Sequence, residues 1–109
     1  MISVSIYKNR NDEYVCFSAK GHAGYAREGK DIVCSAVSML IINTINSIET
    51  LTDCSFDSEA DSSTGYIKVT FKDEATKEAK LLLDAMVLGI TQAIKEYGKS
   101  YVTLTIKEV

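Results

Sequence analysis

Proline and tryptophan are absent from this 109-residue chain, and histidine occurs once, as His22. Acid–base chemistry that needs an imidazole therefore has to use that one residue. Cysteine is scarce and unpaired: Cys16, Cys34 and Cys54 make an odd number with no tight spacing. A secreted disulfide framework favours an even count and a zinc site favours close pairs, so no disulfide, metal or other cofactor is expected. Long apolar runs are also missing. A stretch such as 39–42 is far too short to cross a bilayer. No basic segment followed by a long apolar one opens the chain. Basic charge is in deficit, with twelve Lys and Arg against fifteen Asp and Glu and a net charge of −3. A protein that holds nucleic acid through its phosphates needs the opposite balance. These shortages exclude membrane, disulfide and phosphate-backbone roles and favour a cytoplasmic protein with free thiols.

What is present suits one packed core. Hydrophobic residues make up 46% of the chain, enough for a single domain over 1–109. Ile2, Val4 and Ile6 alternate with polar residues, as in a half-buried strand. After the polar turn at 9–12, a second strand is expected over 14–19 with Val15, Phe17 and Ala19 on one face, completing a β-hairpin. Residues 21–30 form a loop holding three of the six glycines, Gly21, Gly24 and Gly29.

From Asp31 the period becomes helical: Val33, Val37, Leu40, Ile41, Thr44, Ile48 and Leu51 recur at three- and four-residue spacings. Met39, Ile42 and Ile45 widen this stripe beyond one face, which implies a central helix or one covered by a second subunit. A short strand is expected over 53–58, a turn over 61–65 and a strand over 66–71. A second helix over about 74–97 has Ala79, Leu82, Leu83, Met86, Ile90, Ala93, Ile94 and Tyr97 on its core side, with Gly98 as its stop. A last strand over 101–107 carries Val102, Leu104 and Ile106. The expected fold is α+β, a single domain in ββαββαβ order, with two helices packed on a mainly antiparallel sheet.

The segment 21–38 concentrates the chemistry, with the only histidine, a glycine-rich loop and a cysteine near a helix start. With Asp31 as N-cap, Cys34 would sit at N3, where free N–H groups and the helix dipole favour a thiolate. The same N–H groups could stabilise an oxyanion on an attacked carbonyl. Each residue also has a bland explanation. Cys34 could be a small buried filler, His22 a satisfied loop histidine, and Ser38 a residue bonded back to its own helix. Asp31 could serve as a cap alone or orient His22 and hold it cationic. Cys16 and Cys54 read as packing residues. The acidic positions Asp53, Asp57, Glu59 and Asp61 read as a solvated run that could also steer a basic substrate. A redox role for Cys34 has no resolving cysteine nearby in sequence to support it.

Gly21-His22-Ala23, the run Gly29-x-Asp31-Ile32-Val33-Cys34, and Ala36-Val37-Ser38 resemble the bacterial ribosomal-processing cysteine protease family, Prp. Ser35 departs from the alanine common after the family's nucleophile. The resemblance implies a homodimeric endopeptidase that removes a short N-terminal extension from large-subunit ribosomal protein twenty-seven, a basic substrate. It implies Cys34 as nucleophile and His22 as general acid–base, with cleavage after a Phe in an aromatic and basic motif. Gly21, Gly24 and Gly29 are candidate lid-loop positions, and Asp31 and Ser38 are candidate orienting or supporting residues. Helix 1 is the expected dimer contact, with no direct nucleic-acid or membrane partner. The rival reading is a non-catalytic ribosome-associated interaction module in which Cys34 merely packs.

Overall fold

A computed structural model describes residues 1–21, 30–61 and 63–109, with the backbone alone at positions 30, 31 and 34. The elements run β1 (Ile2–Lys8), β2 (Tyr14–Lys20), α1 (Lys30–Leu51), β3 (Phe56–Asp61), β4 (Tyr66–Phe71), α2 (Lys77–Tyr97) and β5 (Val102–Glu108). The strands form a sheet in the order β3-β4-β2-β1-β5. Every neighbouring pair is antiparallel except β1 and β5, which run parallel. The expected ββαββαβ order and two-helix layout are therefore observed in a single domain.

Alternation decides which face is covered. Ile2, Val4 and Ile6 of β1, Phe17 and Ala19 of β2, Val69 and Phe71 of β4, and Val102 of β5 are buried. They form one core with Val33, Val37, Ile41 and Ile48 of α1 and Ala79, Leu83, Met86 and Ile90 of α2. The two helices pack on each other as well as on the sheet. Where they pack, Gly89 meets Leu40: a Cβ on Gly89 would lie 2.6 Å from the Leu40 Cδ2. The other sheet face is polar, with Ser5, Ser18, Lys68 and Glu59 in one cross-strand row.

The register of β2 differs from the simple alternation. Tyr7 pairs with Cys16 but Lys8 pairs with Tyr14, so the ladder skips Val15 at a bulge. An extra residue in one strand reverses the facing of whatever precedes it. Tyr14, not Val15, consequently turns into the core. Its hydroxyl donates to the Asp84 carboxylate of α2 at 2.5 Å. Burial and this carboxylate push the Tyr14 phenol well above its ordinary value.

Other boundaries shift for local reasons. The third strand begins at Phe56 instead of 53, which leaves Cys54 in the connection after α1, half-buried against the core. Here the Thr52 hydroxyl accepts from the Cys54 amide, and such side-chain bonding competes with strand pairing. The second helix starts at Lys77, not 74, because Thr76 is its N-cap and accepts from the Ala79 amide at 3.2 Å. Its end is as expected: Gly98, at φ +94°, donates its amide to the Ile94 carbonyl. Leu51, Tyr97 and Ile106, all expected inward, are exposed. Leu51 and Tyr97 are the last residues of their helices, and Ile106 lies near the end of an edge strand.

Candidate active site

The first helix begins at Lys30, so Asp31 is its second residue and not its N-cap. Cys34 becomes the fifth helical residue. Only the first four amides of a helix lack an intrahelical partner, so the amide of Cys34 belongs to the ladder, contrary to the N3 expectation. The helix dipole also acts mainly within the first turn, which weakens its pull on a thiolate at the fifth position.

His22, Gly24 and Gly29 lie outside the described residues. The structure does describe the two ends of their segment. Gly21 closes β2 at φ +103°, with its Cα packed beneath the start of the chain. Ser38 stands one turn after Cys34 on α1, half-buried. These two residues line the same cavity, of about 210 Å³. Its floor is apolar, made by buried Ile2, Ala19 and Ile41 with Ile67 beside them.

The far wall comes from the β3–β4 hairpin tip, through Ala60, Asp61, Gly65 and Tyr66. The tip is tied by its own hydrogen bonds. Both the amide and the hydroxyl of Ser63 donate to the Asp61 Oδ1, at 3.0 and 2.6 Å. Those bonds hold the Asp61 carboxyl below its ordinary value, so it stays ionised at neutral pH. Gly65, at φ +67°, supplies the left-handed turn residue.

The remaining candidates fall away from this cavity. Cys16 pairs across the sheet with Tyr7 and Thr70, on the face opposite the helices, and burial raises its thiol pKa. Among the described residues, no cluster of His, Cys, Asp and Glu could hold a metal ion, and no helix is long and apolar enough to cross a membrane. Sequence pattern alone does not mark the hairpin-tip residues Asp61 and Tyr66 as cavity walls. Their position depends on how the β3–β4 hairpin meets α1, a tertiary relationship that local pattern does not carry.

A histidine and a helical cysteine lie within one short segment whose two ends line one apolar cavity, a layout that suits a small α+β thiol hydrolase. Comparison with known proteins makes the class specific. The model of the family described as "Cysteine protease Prp" matches residues 1–103. The chain belongs to that family, and it is a cysteine protease. Ribosomal processing cysteine protease Prp of Staphylococcus aureus is 29% identical over 100 residues, covering 92% of this chain and 94% of the relative. The Bacillus subtilis protein of the same name is 25% identical over 101 residues, covering 89% and 90%. A crystal structure of the S. aureus protease with a covalently linked product peptide superposes at a TM-score of 0.89, covering 98% of this chain and all of that one, at 29% identity. A Streptococcus mutans structure, 31% identical, has the same score and covers all of this chain and 96% of its own.

Proposed function

We propose that this protease removes a short N-terminal extension from large-subunit ribosomal protein twenty-seven in the cytoplasm. The whole chain acts as one catalytic domain in a homodimer joined through α1. The observation that carries this reading is the meeting of Gly21 and Ser38 at one cavity, because the residues between them include both His22 and Cys34. Relatives named for ribosomal processing support a ribosomal substrate. The net charge of −3 suits a basic protein and not direct contact with nucleic acid.

In the mechanism, the Cys34 thiolate attacks the scissile carbonyl carbon, forming a C–S bond and an oxyanion. Free amides in the first turn of α1, upstream of Cys34, donate to that oxyanion. Collapse breaks the C–N bond, and the His22 imidazolium gives its proton to the departing amine. The neutral imidazole then takes a proton from water, whose oxygen attacks the thioester. The acid product leaves and the thiolate is restored. Asp31 orients His22 and favours its charged form, Ser38 supports the site beside the cavity, and the loop bearing Gly24 and Gly29 folds over the peptide.

The test is the intact mass of the ribosomal precursor before and after incubation. Wild type should remove a mass equal to the extension, whereas Cys34→Ala should bind the precursor and leave it whole. Equal cleavage by Cys34→Ala would remove the cysteine from the mechanism.

A further inference from the structure

β3 is the outermost strand of the sheet, and among the described residues no strand pairs with its outer side. Its hydrogen-bonding phase is fixed at its start, where the Lys72 amide donates to the Ser55 carbonyl at 3.1 Å. Opposed residues in an antiparallel ladder alternate between bonded and unbonded pairs. Ser55 and Lys72 form a bonded pair, so the main chain of Asp57, Glu59 and Asp61 bonds to β4. Phe56, Ser58 and Ala60 therefore turn their amides and carbonyls outward. Every residue of the strand except Phe56 is exposed. The side chains divide by face: Ser58 and Ala60 stand on the helix side with buried Val69, and the three acids stand on the open face. The nearby cations are Lys72, 3.5 Å from Asp57 in an exposed pair, and Lys68, opposite Glu59. Two copies of this edge would set acid against acid, which disfavours self-pairing and leaves a basic chain as the complementary occupant.

We propose that the free edge of β3 is a docking strand for the substrate: an extended basic segment flanking the cleavage motif adds to it as a further strand of the sheet. The main chain of that segment bonds to Phe56, Ser58 and Ala60, and Lys or Arg at alternate positions faces Asp57 and Glu59. At about 3.4 Å per residue β3 offers roughly 20 Å of edge, and its last residue, Asp61, lines the cavity. A docked segment is thus held in line with the site. This docking rests on the substrate reading above.

The experiment compares synthetic peptides: the precursor's cleavage motif alone, and the motif lengthened along the precursor on each side by about eight residues, enough to cover β3. Affinities are read by fluorescence anisotropy in the Cys34→Ala background, free of any chemistry. Lengthening on one side should tighten binding at least ~10-fold, and added salt should remove part of that gain. N-methylation along the added residues should weaken binding at every second position, because only alternate amides of a strand face one neighbour. Ser58→Pro deletes an outward amide, where an edge strand tolerates proline, and should cut the gain to below ~3-fold. Should Ser58→Pro fail to fold, Asp57→Asn combined with Glu59→Gln leaves the main chain intact and should also reduce the gain. If lengthening adds no affinity, if the N-methyl profile is flat, or if the folded variants keep the full gain, docking on β3 is overturned. Cleavage of the motif peptide by wild type would then leave the protease reading standing. If wild type cleaves none of these peptides, the substrate reading falls instead.

Discussion

A β-carbon placed on Gly21 would lie 2.3 Å from the carbonyl oxygen of Met1, closer than any real contact of that kind. The obstacle is backbone, so no side chain can swing aside to relieve it. The residue also has φ +103°, which L side chains adopt only at a cost of roughly 1–2 kcal/mol. Both requirements act on the residue immediately before His22. Gly21→Ala should therefore destabilise the protein by at least about 2 kcal/mol. It should also lower peptide cleavage by shifting the attachment point of the histidine. Chemical denaturation and a peptide assay measure the two effects. A loss below about 0.5 kcal/mol would contradict the close approach.

This relationship shows what was legible in the sequence and what was not. Gly21 stands out in a glycine-rich stretch as a lid-loop position, yet its contact partner Met1 lies across the same end of the β1–β2 ladder, distant in sequence and brought close only by the antiparallel pairing. Strands β1 and β4 followed their alternation because each buries one face with no irregularity. The second strand did not, since the bulge opposite Tyr7 and Lys8 exchanges Val15 for Tyr14. No local pattern marks such a bulge. The motif around Cys34 is visible as residue types in order, but its depth in α1 is not, because Asp31 lies inside the helix instead of capping it.

His22 is the only imidazole in the chain, so no other histidine can substitute for it. His22→Ala should reduce turnover by at least ~10²-fold, with peptide affinity changed far less. Unchanged turnover in steady-state kinetics would take His22 out of the reaction.

Tyr14 and Asp84 give a prediction independent of catalysis. Tyr14→Phe keeps the buried ring and removes the hydrogen bond to the carboxylate, at a cost of about 1 kcal/mol. The raised phenol pKa gives the linkage its sign. Above pH 10 the unfolded chain releases the Tyr14 proton while the folded chain retains it, so this contribution to stability declines as pH rises. Between pH 10 and 12, wild type should lose stability more steeply than Tyr14→Phe. Denaturant midpoints across that range provide the check, and parallel slopes would argue against the raised value.

The proposed dimer places its demand on α1. Ile32 and Met39 are 63% and 66% exposed, seven residues apart on the helix, with exposed Ser35 and Ala36 between them. Residues at that spacing share a face, and small neighbours allow a second helix to approach. Burying the two large side chains would contribute about 1.5–3 kcal/mol each. Sedimentation of wild type at micromolar concentration should therefore give twice the 12.0 kDa chain mass. Ile32→Lys combined with Met39→Lys should raise the dissociation constant at least ~100-fold, since it replaces apolar contact with charges the interface cannot pair. These two positions lie on α1 within one or two turns of Cys34, so the monomeric variant should also cleave more slowly if the partner supports the site. A monomeric wild type would remove the dimer and leave the exposed face of α1 to another partner.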